Sequence, residues 1–336
     1  MISKLLPFLA LSIGLGLTAW LVSAATLAAI FHSFAEIGWG IAAIVTVRAI
    51  VIATNGLAWA RLLAELSNVP SRIFILLRWI REAIDVTLPV AYIGGGLVSA
   101  RMLSFWGPSG SMATAGLVAD VFLQTIAQAL FALFGATLLA RIVGPSTILP
   151  PVLLGAAAAC IVLGAFYVVQ RHKGARAIEL VLAALVARMA SKAHKGVAEY
   201  QTAIDEIWRR PRYVLIPLLV HALAWAFGTL EVLLTFYFLG KPLLLEQAVI
   251  LESLGTTISI AAFFVPGSWG VQEGGYILIG QMLGLPAHLS LSLSFVKRVP
   301  DFVLGLPGLA VWQGIEMRRA RWMQPQRSPP TISKPK

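Results

Sequence analysis

The stretch FFVPGSWGVQEGGYILIGQMLG (Phe263–Gly284) decides how the chain is read. It lies inside a long apolar region, yet it carries Pro266, Gly267, Gly270, Gly274 and Gly275 together with a carboxylate, Glu273. A simple membrane-spanning helix has none of these at its middle. Proline removes a backbone hydrogen bond and clashes with the preceding turn, and glycine loosens the backbone. Non-helical backbone at membrane depth is tolerated only where protein or a water-filled cavity covers it. The stretch therefore reads as a break between two half-helices.

The rest of the chain supplies the membrane. Of its 336 residues, 58% are hydrophobic and 12% charged, against roughly 25% charged in a soluble domain. No charge occurs between Leu5 and Phe31, enough to cross a hydrocarbon core of roughly 30 Å as a helix. Full spans are read at about 5–31, 37–60, 111–139, 148–169, 212–239 and 287–313. A β-barrel would need alternating strands of about ten residues, and the sequence does not carry that alternation. Two further apolar stretches, 73–104 and 247–285, are interrupted, the first at Pro89, Gly94, Gly95 and Gly96 and the second at Pro266, Gly267 and Gly270. Each is either a re-entrant helical hairpin or one kinked spanning helix. The expected fold is all-α and polytopic, with about six full transmembrane helices plus two re-entrant hairpins.

Charge orients these segments. The net charge of +11 could suggest nucleic-acid binding, but the basic residues are gathered in a few segments, as the positive-inside rule produces. Arg61, Arg72, Arg78 and Arg81 precede the first break and Arg101 follows it; the connection 170–211 and the tail hold most of the others. With both interruptions re-entering, every basic segment falls on one side and both termini are cytoplasmic. The order then repeats: two spans, a hairpin, one span, over about 1–140 and again, inverted, over about 148–317. Inverted repeats with broken helices near the midplane are a transporter architecture. The chain is thus read as one transmembrane domain, 1–323, with a proline-rich basic tail, 324–336, expected to be disordered. An alternative for the first stretch is a signal peptide, since Lys4 precedes it and VSAA (Val22–Ala25) offers small residues; the apolar run is longer than a typical signal core.

In the connection, Ile178, Val181, Leu182, Leu185 and Met189, then Val197, Tyr200, Ile204, Ile207 and Trp208, recur at helical spacing with basic residues between them. They are expected to form amphipathic helices on the cytoplasmic leaflet, where anionic phospholipid attracts each Lys or Arg by about 1 kcal/mol. Cys160 is the sole cysteine, which excludes an intramolecular disulfide and a cysteine metal cluster.

Charges within spans cost roughly 2.5–3.5 kcal/mol at a helix centre, so each needs a reason. Glu273 stands at the start of a half-helix, where an acid offsets the positive helix end; alternatively Glu273 and Gln272 line a cavity and bind a substrate hydroxyl or exchange a proton. Lys297, Arg298 and Asp301 fall within one turn of a span. Lys297 and Asp301 are four apart and share a face; Arg298 is the expected partner of Glu273. Trp269 and Tyr276 either pack between helices or meet an apolar substrate. Arg81 and Asp85 are expected to pair. Asp120, Gln124 and Gln128 form a polar stripe, either inter-helix glue or cavity lining. Arg48 and Asn55 are expected to bind a neighbouring helix, His221 to be an interior hydrogen-bonded histidine, and Glu231 and Glu252 are weaker candidates of the same kind. The expected substrate-binding set is Glu273, Gln272, Arg298, Asp301, Trp269, Tyr276, Asp120, Gln124 and Arg101.

The sequence lacks a GxxxxGK[ST] phosphate loop and an HExxH zinc motif. GSWG is not a nucleophile elbow. No metal, cofactor or catalytic residue is expected, and the chain is read as a non-enzyme.

LLRWIREAIDVTLPVAYIGGGLVSARML (Leu76–Leu103) and VPGSWGVQEGGYILIGQMLGLP (Val265–Pro286) resemble the membrane region of the lysylphosphatidylglycerol synthase superfamily. VQEGGY with the later LPGLAVWQ (Leu306–Gln313) resembles its hopanoid-biosynthesis-associated members. The resemblance implies a flippase-like transporter in the bacterial inner membrane that moves hopanoid lipid toward the outer membrane, in contact with hopanoid-pathway proteins. It carries the superfamily's glutamate onto Glu273 and, less directly, its arginine onto Arg298. The aminoacyl-transferring soluble domain of the larger synthases has no counterpart in these residues. A non-transporting enzyme or accessory subunit of hopanoid or phospholipid modification is the alternative.

Overall fold

The computed structural model describes Ser12 and residues 16–20, 24–88, 94–144, 193–262 and 265–323. The span read at 148–169, with Cys160, the first amphipathic stripe at 178–189, Pro89 and the tail 324–336 lie outside these residues, as does most of the span read at 5–31. Ten α-helices are described: α1 (Ala24–Ile37), α2 (Gly40–Leu62), α3 (Ser71–Thr87), α4 (Gly94–Leu103), α5 (Gly110–Val143), α6 (Ala193–Trp208), α7 (Pro211–Phe238), α8 (Leu245–Ala261), α9 (Val271–Met282) and α10 (Ala287–Met323). No strand occurs among the described residues.

Helices α2, α5 and α7, of 23, 34 and 28 residues, are long and apolar enough to cross a membrane. Their side chains are sorted for lipid. On α7, Leu215, Leu219, Leu223 and Phe227 recur every four residues and face outward, 37–67% exposed. Its opposite face buries His221, Gly228 and Glu231. In water this order would be unstable, because apolar surface would be exposed and charge desolvated. In hydrocarbon it is the favourable one. The long α10 escapes the same description because Lys297, Arg298 and Asp301 interrupt its apolar sequence; all three sit in its packed interior half.

The chain doubles back at both interruptions. Gly95 N–H donates to Asp85 Oδ1 at 2.9 Å, whereas ten residues of continuous helix would advance about 15 Å. Gly95 is glycine because a Cβ there would lie 2.3 Å from the Arg81 carbonyl oxygen. In the second half α8 lies against α9, and a Cβ on Gly255 would fall 2.5 Å from the Tyr276 ring.

The two halves exchange partners. The first arm of one helix pair, α3, packs on α10, and the first arm of the other, α8, packs on α5. Between them α2 and α7 form the most extensive contact of the bundle. Two apolar cores result. One gathers Trp59, Phe74, Leu77, Met102 and Leu123; the other gathers Ile44, Phe236, Leu251, Tyr276 and Val296.

Helix α6 corrects an expectation. Its apolar stripe does not face lipid: Ile204 and Ile207 are each 1% exposed and belong to the first core, with α6 packed on α5. An apolar stripe buries equally well against protein or lipid, and here α5 supplies the protein.

Candidate functional site

The break between α8 and α9 is built by backbone conformation. Gly267 and Gly270 adopt φ of 64° and 78°, a region that costs an L side chain roughly 1–2 kcal/mol. Ser268, at φ 52°, joins them, and its hydroxyl donates to the Ser259 carbonyl at 2.6 Å. The turn leaves the first N–H groups of α9 without helical partners. Glu273 answers one of them: its Oε2 accepts from Gly270 N–H at 2.7 Å. Its Oε1 accepts from Arg298 Nε at 2.9 Å and from Ser294 Oγ at 3.2 Å. Arg298 in turn donates through Nη1 to the Gly267 carbonyl at 2.8 Å, and its guanidinium carbon stands 3.9 Å from the centre of the Trp269 ring.

Arg298 on α10 and Glu273 on α9 therefore clamp the break from both sides. Both carboxylate oxygens of Glu273 are engaged and the residue is fully buried. It performs the capping role and does not reach the adjoining cleft. Gln272 does: its amide donates to Ser294 Oγ at 3.1 Å, and it lines a small open cleft with Val86, Thr87, Trp269, Arg298, Asp301 and Phe302. A second, smaller cleft shares Asp301 and Val86 and is bordered by Arg48, Trp79 and Glu82.

The expected pairing of Lys297 with Asp301 is not formed. Lys297 turns to the other side of α10, where its Nζ donates to Glu231 Oε2 at 2.9 Å and to Glu252 Oε2 at 2.7 Å. Arg48 meets the same Glu231 oxygen at 2.9 Å. Two carboxylates in a neighbouring position outcompete one on the same helix. Asp301 is left half-buried with no hydrogen bond or ion pair.

A counterpart cluster lies in the first half. Arg81 approaches Asp120 Oδ2 at 3.4 Å and Asp85 Oδ2 at 3.8 Å. His221 contacts Asn55 Oδ1 through Nδ1 at 2.7 Å and Asp120 Oδ1 through Nε2 at 3.1 Å. Gln124 accepts from Arg78 at 2.9 Å. Each cluster draws on α2, α7, the first arm of one helix pair and the last helix of the same half. The signs are reversed: acidic Asp120 on α5 stands where basic Lys297 stands on α10, and basic Arg81 on α3 where acidic Glu252 stands on α8. Arg48–Glu231 and Asn55–His221 are both α2–α7 contacts.

The sequence-derived set thus divides. Arg298, Asp301, Gln272 and Trp269 converge on one cleft, with Glu273 directly behind. Asp120 and Gln124 lie in the first-half cluster, where protein groups satisfy them. Gln128 donates to Thr257 Oγ1 at 2.8 Å and joins α5 to α8. Tyr276 is 1% exposed in the second core and faces no cleft. Arg101 is exposed and paired with Glu316 at 3.0 Å, a surface contact away from the cleft. Ser294 and the Glu231–Lys297–Glu252 triad were not legible as a unit; the buried serines Ser290, Ser292 and Ser294 just before Lys297 are the signal that a polar interior begins there.

Residues 8–308 match the family model described as the lysylphosphatidylglycerol synthase TM region. No curated protein and no solved structure matches the chain.

Proposed function

This chain belongs to the lysylphosphatidylglycerol synthase TM-region family, and on that premise we propose that it is an inner-membrane transporter that carries the polar end of a lipid, a hopanoid in our reading, past the hydrocarbon core. The observation that carries this is the cleft at the α8–α9 break. It places Gln272, Arg298 and Asp301 beside Phe302, which is 49% exposed on the outer, apolar side of the bundle. A polar lining next to a lipid-facing aromatic suits a molecule that is mostly apolar and needs help only for its headgroup. The ring system stays in the bilayer while the cleft replaces water around the hydroxyls.

The reading takes both helix pairs as re-entrant hairpins entering from opposite faces, within six full spans and an inverted repeat, with both termini cytoplasmic. The doubling-back at both breaks, the exchanged helix packing and the sign-reversed clusters support it. Hopanoid as the cargo rests on the resemblance carried by VQEGGY and LPGLAVWQ. Movement without an ATP motif is downhill or coupled to an ion gradient.

The test is membrane fractionation in a hopanoid-producing host lacking this protein, with total hopanoids measured. Transport requires unchanged totals and an outer membrane depleted of hopanoid. A changed set of hopanoid products would replace transport by enzymology, and an unchanged distribution would remove the hopanoid reading.

A further inference from the structure

Away from the helix ends, the acidic groups inside the bundle are each matched with a cation. Glu82 meets Arg78 and Asp85 meets Arg81; Asp120 meets Arg81 and His221; Glu231 meets Arg48 and Lys297; Glu252 meets Lys297 and Glu273 meets Arg298. Among these described residues Asp301 stands apart, with no hydrogen bond or ion pair. It lines both clefts and, with Val86, is common to them. An unpartnered charge in such surroundings is costly, so the carboxyl must take a proton or find a cation.

A cation is close by. Arg298 lies three residues earlier on the same face of α10 and lines the same cleft. Its hold on Glu273 is incomplete. Nε makes a hydrogen bond, but Nη2, 2.8 Å from the same oxygen, has no hydrogen-bond geometry there or elsewhere. The other charged groups facing Asp301 are Arg48 on α2, Glu82 on α3 and Glu231 on α7, with Glu273 on α9 beyond Arg298. Glu82 is bound to Arg78, and Arg48 is bound to Glu231 although its Nε too lacks a hydrogen-bond partner; of the two cations, Arg298 is the one that lies on the helix of Asp301 and holds the α8–α9 break.

We propose that Asp301 is a proton-exchange site of the cleft and that, once ionised, it competes with Glu273 for Arg298. The step is a single proton leaving an Asp301 carboxyl oxygen for water in the cleft; no covalent bond to carbon changes. The guanidinium Nη2–H then turns toward Asp301. Because Arg298 also holds the Gly267 carbonyl and Glu273 holds the Gly270 N–H, the exchange loosens both ties of the α8–α9 break. Its consequence for lipid movement rests on the function proposed above; the titration itself does not.

Infrared difference spectroscopy of the full chain in lipid nanodiscs, between alkaline and acidic pH, tests the site. The expected result is a protonated-carboxyl carbonyl band that grows as pH falls, is lost in Asp301→Asn and returns at a shifted midpoint in Asp301→Glu. Survival of the whole band in Asp301→Asn, or no band in the wild type, overturns the proposal; so does a band that sodium removes at constant pH, which would mark a metal-cation site. Asp301→Asn loses no hydrogen bond, so its thermal unfolding should match the wild type; a large loss of stability would also overturn the assignment, by giving Asp301 a structural partner. In liposomes carrying a hopanoid labelled at its polar end with a dithionite-sensitive dye, quenching of the inner-leaflet pool should depend on pH for the wild type and be flat for Asp301→Asn. A titrating band without lipid movement would leave the site standing and refute the lipid reading instead, whereas pH-dependent movement that persists in Asp301→Asn refutes the site.

Discussion

Replacing Glu273 by Gln, Arg298 by Gln, and both together measures how firmly the break is clamped. Glu273 is fully buried and its two oxygens accept three hydrogen bonds, from Gly270 N–H, Arg298 Nε and Ser294 Oγ. Glutamine keeps one acceptor oxygen. If that oxygen stays with Gly270, an NH2 group faces the guanidinium; if it turns to Arg298, the N–H of Gly270 meets another N–H. Either way a buried cation or a helix N-terminus loses its partner. Removing one member of a buried ion pair costs about 3–5 kcal/mol, and the retained acceptor puts Glu273→Gln near about 3. Arg298→Gln also forfeits the bond to Gly267 and the stack on Trp269, so about 4 is expected. The double variant leaves no unpaired charge. It should cost less than the sum of the singles by about 2–3 kcal/mol, the coupling expected of contacting residues. Equilibrium unfolding in mixed SDS micelles, monitored by tryptophan fluorescence, reads all four proteins. Additive losses would mean that the two side chains do not hold each other and would refute the clamp.

Other substitutions probe the surrounding structure. Gly270→Ala, at φ 78°, should lower stability by about 1–2 kcal/mol in the same unfolding assay, while Gly274→Ala, helical and with open space around its Cβ, should be neutral or stabilising. Lys297→Met leaves Glu252 with no cation while Arg48 still serves Glu231; it should cost about 3–5 kcal/mol, and adding Glu252→Gln should restore most of that loss.

The class of fold was legible because hydrophobicity and punctuation are local quantities. A run without charge from Leu5 to Phe31 is lipid-compatible whatever it packs against, and Pro266 with its glycines breaks a helix in any surroundings. Near neighbours were legible too: Arg81 and Asp85, one turn apart on α3, do approach each other. Partnerships across helices were legible only in part. Arg298 with Glu273 follows from two conspicuous charges near one break, but Lys297 offered the same sequence argument toward Asp301 and went elsewhere.

The sequence alone thus determined an all-helical membrane protein interrupted at two places, with a short roster of charges that need partners. Only the tertiary structure decided who those partners are. It sent Lys297 to Glu231 and Glu252, buried Tyr276 against Gly255, left Arg101 at the surface and Asp301 unmatched in a cleft. The reason is one of range. Helix propensity and partition into lipid are set within a few residues of chain, whereas a buried charge is satisfied by whichever opposite charge the packing of distant helices brings within about 3 Å.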